Sequence, residues 1–312
     1  AGKQAATSFE DKVGLTKFAQ PAYTFDMALV DIDADRYLAK EAKPAKPEPA
    51  AGPEQPIDLS ALKTLDANGT LKVASLKVAN IRASDLRLEL HASGGQVDLS
   101  PMSAKLYGGS LAGALSANAS TPPRFTARHA LNNINLGPLL KDAIDKAPVD
   151  GKGNVALDIS ATGATMSQLK KALSGTAGLL LKDGAINGIN LAAAIRNAKA
   201  KLGMGQPEQG TASAQDKTDF TELSASFKIS NGIAHNDDLS AKTPLFRLGG
   251  SGDVNIGESS LDYTAKATVV PTLQGQGGPE WQELKGLTVP VQLSGPCTAI
   301  KWRAAHHGLV GN

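Results

Sequence analysis

The chain has 312 residues, of which 41% are hydrophobic and 20% are charged, proportions that exclude intrinsic disorder and predict a globular protein. Its 32 basic and 30 acidic residues nearly cancel, so the composition gives no reason to expect nucleic-acid binding, which needs a basic field. The one cysteine, Cys297, excludes an intrachain disulfide and a CxxC metal site.

The sequence contains no signal peptide and no run of apolar residues, about 18 long, of the kind that crosses a bilayer as a helix. The chain begins with Ala1 instead of Met, which predicts a fragment or a processed product. We therefore expect that a membrane anchor can be missing from it.

Alternating apolar residues predict a strand within residues 1–40. They are Tyr23, Phe25, Met27 and Leu29. Aspartates follow at the alternate positions 31, 33 and 35, a spacing also found in calcium-binding loops. An EF-hand loop would need Gly where Arg36 stands and Glu where Ala42 stands, so no metal site is predicted here.

Residues 41–56 read EAKPAKPEPAAGPEQP, a composition typical of an extended linker. This stretch is the one clear boundary in the sequence. It divides the chain into the end of an upstream β-region at residues 1–40, a Pro-rich linker at 41–56 and a β-rich domain at 57–312.

The segment from Leu71 to Leu90 has a five-residue rhythm, written LKVAS, LKVAN, IRASD and LRLEL. Because side chains alternate along a strand, a five-residue step reverses the face, which predicts short strands with bulges or bends. After Ser93, turn signals at Gly94-Gly95 and Gly108-Gly109 separate alternating apolar residues. This pattern predicts an antiparallel meander with one apolar face.

A short helix is predicted from Asn135 to Lys146, where leucines recur at helical spacing. Alternation from Val155 to Ala161 then predicts a strand, and Ser167 is a candidate N-cap for a second short helix.

The stretch from Leu179 to Asn197 combines a predicted strand, turn and helix. Lys182-Asp183-Gly184 and Asn187-Gly188 are turn signals. The amphipathic helix that follows is represented by Ile189, Leu191, Ile195 and Arg196. It can lie on a membrane or cover the sheet. Its apolar stripe is rich in alanine and lacks Trp and Phe, which favours packing on the sheet.

Further strands are predicted after a turn at Asn231-Gly232. Leu261 to Val269 gives the clearest period-2 alternation, and Val289 to Leu293 predicts a last strong strand. Ile300 and Trp302 predict a short one after it.

The sequence offers little for catalysis. No HExxH, GxSxG or Walker A motif occurs. Gly151-Lys152-Gly153 resembles part of a dinucleotide fingerprint, but it precedes a strand, so no helix N-terminus would meet the phosphate. We therefore predict no enzyme, no catalytic residue, no cofactor and no metal.

The fold class that these elements predict is mainly β with a few short helices (α+β), built as an extended, curved antiparallel sheet or meander. A long sheet must close, stack or be covered. The residues alone leave two outcomes open: an open groove with an aliphatic lining, or a sheet that folds on itself or is covered by the helices.

Five segments in a characteristic order resemble the C-terminal region of the AsmA family of bacterial envelope proteins. They are YGG at Tyr107 to Gly109, GKGNVALDISATG at Gly151 to Gly163, LKDGAINGINL at Leu181 to Leu191, TDFTELSASFKISNGIAHNDDL at Thr218 to Leu239, and LTVPVQLSGP at Leu287 to Pro296. The resemblance covers residues 57–296. The chain departs from the family pattern at Asn190, where an aspartate is frequent.

The resemblance implies a non-enzymatic periplasmic segment of a protein anchored in the bacterial inner membrane, with membrane contact through a missing N-terminal anchor. The family is similar to chorein-type bridge proteins, whose curved sheet forms a lipid-conducting groove. It therefore implies that the chain handles phospholipids or other envelope lipids between inner and outer membranes, in support of outer-membrane biogenesis. The alternative is a scaffold that binds outer-membrane assembly proteins and holds no lipid.

The candidate groove lining comes from the aliphatic faces of the predicted strands. It consists of Leu111, Leu115, Val155, Leu157, Ile159, Tyr263, Val289 and Val291.

Overall fold

The computed structural model describes residues 12–15, 22–36, 54–192, 209–211, 215–270 and 285–304. Strands dominate these residues, which confirms the predicted β-rich class. The chain forms two compact units. The first unit comprises residues 1–134, 141–146 and 156–173, and the second comprises residues 135–140, 147–155 and 174–312. Most of the predicted linker, residues 41–53, lies outside the described residues, so the predicted domain boundaries stay a prediction.

The first unit is built from seven strands and the second half of an eighth. They are β1 Lys12–Leu15, β2 Ala22–Asp33, β3 Asp66–Val78, β4 Ile81–Ser93, β5 Gln96–Leu106, β6 Gly109–Asn118, β7 Arg124–Asn135 and β8 Val149–Thr162. They neighbour one another in chain order. The predicted antiparallel arrangement holds for most pairs but is wrong for β2 and β3, which run parallel. Parallel strands need a long crossover, and the chain from Ala34 to Leu65 provides one.

The second unit begins with the first half of β8 and continues with further antiparallel strands. These strands are β9 Ser174–Asn187, β10 Gln209–Thr211, β11 Lys217–Ser230, β12 Ile233–Lys242, β13 Phe246–Asn255, β14 Ser260–Val269, β15 Thr288–Pro296 and β16 Lys301–Ala304. Their order is β9-β11-β12-β13-β14-β15-β16-β10, so only β10 leaves the chain order.

Two α-helices lie wholly within the described residues and between strands: α1 Leu136–Ile144 and α2 Met166–Ala172. The first confirms the helix predicted within Asn135 to Lys146. For the second, the predicted N-cap Ser167 is wrong. The N-cap is Thr165, whose hydroxyl accepts a hydrogen bond from the Gln168 backbone N–H (3.2 Å) and so satisfies one free donor of the first turn. Short 3₁₀ turns occupy Ala34–Arg36 and Ser60–Lys63.

The five-residue rhythm between Leu71 and Leu90 arises from two long strands, not from several short ones. The pairing of β3 with β4 is continuous except at Ala74 and Asp85, and Asp85 has φ 50°. Leu71, Val73 and Leu76 all contact the same core cluster on one side of the sheet. One extra residue in each strand, as in a β-bulge, therefore returns the next apolar side chain to the same face of the sheet. The predicted reversal of the face does not occur.

The predicted turn at Lys182-Asp183-Gly184 is also wrong, because β9 continues through it. Lys182 pairs with Glu222 and Gly184 pairs with Phe220 without any shift of register. Asp183 has φ 50°, a backbone conformation typical of turns, so the strand is locally irregular at this residue. The predicted turns at Gly94-Gly95 and Asn231-Gly232 are confirmed.

Candidate functional site

The register of β5, β6 and β7 places three rows of apolar residues on one face of the first unit. Residues directly opposite each other in an antiparallel pair share a face of the sheet. The rows are Leu99, Leu115 and Ala127; Met102, Gly113 and His129; and Ala104, Leu111 and Leu131. We call this surface the first-unit apolar face.

The second half of β8 adds two more residues to this face. The Arg128 guanidinium lies 2.9 Å from an Asp158 carboxylate oxygen, so these two side chains share the opposite, polar face. Because side chains alternate along a strand, Leu157 and Ile159 belong to the apolar face. Half of the predicted groove residues, namely Leu111, Leu115, Leu157 and Ile159, are thus brought together in the first unit.

Solvent reaches the middle of the first-unit apolar face. Leu115 is 36% exposed, and Leu99, Leu111, Leu157 and Ile159 are half-buried. Leu131 and Ala104, at one end of the face, are buried. An accessible surface of adjacent aliphatic side chains is the kind of feature that marks a binding site.

One polar group interrupts the aliphatic surface. The His129 ring lies beside Gly113, where a Cβ would overlap both the ring and the Arg128 carbonyl oxygen, so glycine makes room for the imidazole. The Nδ1 atom of His129 is buried and has no hydrogen-bond partner among the described residues. Burial lowers the pKa of the His129 imidazole below its ordinary value, so the neutral ring is favoured.

A comparable sheet face in the second unit contains a row that solvent does not reach. One row of residues, each opposite the next, crosses from β9 to β15 and is buried at every position. It consists of Leu181, Leu223, Ala241, Leu248, Ala267 and Val289. The neighbouring Val291 is 1% exposed and Tyr263 is also buried. Tyr263, Val289 and Val291 therefore form part of a core, while Val155 on the first half of β8 is half-buried.

Polar groups within the second-unit core are paired. The Tyr263 hydroxyl donates to the side-chain oxygen of Asn236 (2.5 Å), and the Asn236 amide donates to the Ser226 carbonyl oxygen (2.8 Å). Burial, reinforced by the negative charge of Asp238, raises the pKa of the Tyr263 hydroxyl. These bonds satisfy an amide that is almost completely buried, as the cost of an unpaired buried polar group requires.

The predicted amphipathic helix falls only partly on described residues. Leu191 is buried, and the Thr218 hydroxyl donates to the Ile189 carbonyl oxygen (2.7 Å) and accepts from the Leu191 backbone N–H (3.1 Å). These contacts tie the start of the segment to β11. Leu191 and Ala192 are helical, whereas Ile195 and Arg196 lie outside the described residues, so the rest of the helix stays a prediction.

Side-chain chemistry in the described ranges is limited. No group of three or more His, Cys, Asp or Glu residues there is placed to hold a metal ion. Within the same ranges, no helix is long and apolar enough to cross a membrane. His129 and Gly113 were not among the predicted site residues, although His129 follows the apolar alternation of β7.

The fold and the face define a β-rich protein whose sheet exposes aliphatic surface in one unit and encloses it in the other. The AsmA family matches residues 38–239, and the chain belongs to this family. It is 22% identical over 250 residues to Protein AsmA of Escherichia coli strain K12, an alignment that covers 80% of this chain and 39% of that protein. No solved structure matches the chain. Family membership suggests an envelope protein related to outer-membrane biogenesis.

Proposed function

We propose that this segment handles phospholipid in the periplasm by holding acyl chains against the first-unit apolar face, as part of an inner-membrane-anchored protein that supplies the outer membrane. The observation that carries the proposal is the row Leu99, Leu115 and Ala127, in which aliphatic side chains stand side by side across three strands and remain accessible.

The chemistry of this face fits an acyl chain. Its side chains are aliphatic, and its one titratable group, His129, favours the neutral state. A methylene group that becomes fully buried contributes about 0.8 kcal/mol, so one that lies on an open face contributes roughly half of that. A chain of ten methylenes would then be held by about 4 kcal/mol before the cost of ordering it. Such weak, non-directional contact holds a lipid while allowing it to slide.

The second unit supports the proposal by contrast. Its buried face offers an acyl chain no room beside Val289 or Val291. Lipid contact is therefore assigned to the first unit alone. No catalytic group takes part, because transfer along such a face breaks no covalent bond.

The test is native mass spectrometry of the chain purified from a membrane-containing host, with Leu115→Asp as the variant and Leu180→Asp as the matched control. Leu180 is about as exposed as Leu115, at 42% against 36%, but belongs to the second unit. It lies on the face of β9 opposite to that of the buried Leu181, and so outside the proposed lipid surface. We expect co-purified phospholipid on the wild-type chain and on Leu180→Asp, and its loss from Leu115→Asp with an unchanged circular-dichroism spectrum.

Retention of lipid by folded Leu115→Asp would contradict the proposed face. A folded wild-type chain that takes no lipid would favour the scaffold alternative, in which the exposed aliphatic surface contacts outer-membrane assembly proteins.

A further inference from the structure

His129 lies in the middle of the first-unit apolar face and has apolar residues around it. It is directly opposite Gly113 on β6, and Gly113 is directly opposite Met102 on β5. The rows on either side of this one contain only leucine and alanine. A leucine in place of the histidine would continue the apolar pattern, so the polar ring needs a physical explanation.

Gly113 lets the imidazole ring of His129 lie against the sheet. A Cβ at Gly113 would lie 2.6 Å from Nδ1 of the ring and would also overlap the Arg128 carbonyl oxygen. Any other amino acid at this position would therefore displace the ring. Glycine inside a strand is locally unfavourable, and it often marks a place where a ligand or another group approaches the backbone closely.

The two nitrogens of the ring have different surroundings. Nδ1 is buried against the sheet and has no hydrogen-bond partner among the described residues. Nε2 is not buried in this way, and the side chain as a whole is only half-buried, so this edge of the ring reaches the surface. Burial lowers the pKa of His129, which favours the neutral ring with a single proton. Because a buried N–H without an acceptor is rarer than a buried acceptor without a donor, that proton belongs on Nε2.

Two other polar groups with a similar degree of burial or more are paired within the protein. The Tyr107 hydroxyl donates to an Asp142 carboxylate oxygen in the first unit (2.7 Å), and the Tyr263 hydroxyl donates to Asn236 in the second (2.5 Å). The Nε2–H of His129 points to no acceptor among the described residues. A single unpaired donor on an accessible apolar surface is available to orient a ligand.

The aliphatic surroundings of this N–H determine which acceptor suits it. A neutral donor among leucines supplies no positive charge to offset the hydration that an anion such as phosphate would lose. An ester carbonyl oxygen is neutral, accepts a hydrogen bond and is attached directly to an acyl chain. With that oxygen at Nε2, the acyl chain can continue over Leu115 and Leu99, which form the adjacent row of the face.

We propose that His129 determines the specificity of lipid binding, with its Nε2–H donating a hydrogen bond to the ester carbonyl oxygen of an acyl chain on the first-unit apolar face. The inference rests on the proposed function and adds to it a preference for ester-linked lipid. An ether-linked lipid has the same chain but no carbonyl oxygen. A site that hydrogen-bonds its ligand disfavours an analogue without the acceptor, because the donor is then left unpaired.

The experiment offers the full chain two lipids in competition. Vesicles contain dipalmitoyl phosphatidylglycerol and its dihexadecyl ether analogue in equal parts, and native mass spectrometry distinguishes the bound lipids by mass. The wild-type chain should bind about five times more ester than ether lipid, the ratio that one hydrogen bond provides. His129→Phe keeps a ring over Gly113 but has no N–H, so it should bind the two lipids equally.

Two more variants show whether the donor or the shape of the ring is responsible. His129→Gln keeps an N–H donor and should retain a preference for ester lipid of at least about twofold. His235→Phe is the matched control, because His235 is more than half exposed in the second unit and its Nδ1 lies 2.7 Å from Asp253. Its ratio should equal that of the wild type. Equal loss of the preference in His129→Phe and His129→Gln, both folded by circular dichroism, would overturn the role of the donor.

The outcomes separate this inference from the proposed function. If Leu115→Asp loses both lipids while the wild type binds them equally, the apolar face stands and the ester contact is overturned, whether or not His129→Phe folds. If His129→Phe weakens binding of both lipids and leaves their ratio unchanged, the N–H binds a group common to both, such as the phosphate, and the ester assignment is overturned. Absence of any lipid on the folded wild-type chain would overturn both proposals.

Discussion

Both units have a sheet face lined by aliphatic side chains, but the row through Leu181 and the row through Leu115 differ in their exposure to solvent. In the second unit, the row from Leu181 to Val289 is buried on every strand, and its buried polar group, Asn236, is hydrogen-bonded on both sides. In the first unit, the row through Leu115 is open to solvent, and His129 keeps a buried nitrogen without a partner among the described residues. A closed face holds the fold together, and an open face is available for a ligand. The difference is one of coverage, since both faces are aliphatic.

The largest effect that tests this comparison comes from a matched pair of leucines. Leu181→Ala removes a side chain that is 0% exposed and should lower the free energy of unfolding by about 2–5 kcal/mol, the sum of lost burial and a cavity. Leu115→Ala removes a partly exposed side chain and should cost about 1 kcal/mol or less. Urea denaturation followed by circular dichroism measures both. Equal losses would mean that the two faces are covered alike.

A matched pair of tyrosines gives the next largest effect. Tyr263→Phe leaves the side-chain oxygen of Asn236 buried without its donor and should cost about 1–3 kcal/mol. Tyr107→Phe removes a hydroxyl near solvent, where water can replace it, and should cost about 1 kcal/mol or less. The same denaturation experiment ranks them. A larger loss for Tyr107→Phe would show that the first unit, too, depends on a closed polar network.

The smallest effect is a dependence of stability on pH that originates in the first unit. Because burial lowers the pKa of His129, the unfolded chain takes up a proton near pH 6.5 while the folded chain stays neutral. Stability from this group is therefore complete above pH 6.5 and is lost as the pH falls toward the folded-state pKa. The loss should be small, since solvent reaches the ring.

The control for this prediction is His129→Leu, which has no titrating group at that position. Subtracting its pH profile between pH 8 and 5 from that of the wild type removes the contributions of the other histidines and carboxylates. Identical profiles would show that the ring is as well solvated when folded as when unfolded.

Much of the fold follows from alternation along the sequence. The strands around Phe25, Leu261 and Val291 were predicted because one face is apolar and the other polar, and the turns at Gly94-Gly95 and Asn231-Gly232 were predicted from residues that tolerate positive φ. Predictions from local sequence were wrong where pairing with neighbouring strands imposed a different backbone conformation. Lys182-Asp183-Gly184 has turn chemistry, yet two neighbouring strands hold it extended.

Other elements carried no local signal. Strand β12 buries only small or polar side chains such as Ala234, Asn236 and Ala241, so it shows no apolar periodicity. The parallel pairing of β2 with β3 depends on residues far apart in the chain. The candidate site shows the same limit, because Leu115 and Val291 have similar sequence surroundings and only the packing above each strand decides which one solvent reaches.

The extra residues at Ala74 in β3 and Asp85 in β4 determine which insertions and deletions these strands can tolerate. Deleting a single codon at either position would turn Leu76 or Ala83 away from the cluster that both contact, while the neighbouring strand kept its own extra residue. Deleting both codons together would keep β3 and β4 in phase with each other but not β3 with β2, because Leu29 and Ile32 contact the same cluster across the matching position, Val30. Length variation at these sites should therefore be inherited as a compensated event in three neighbouring strands and not as independent insertions or losses.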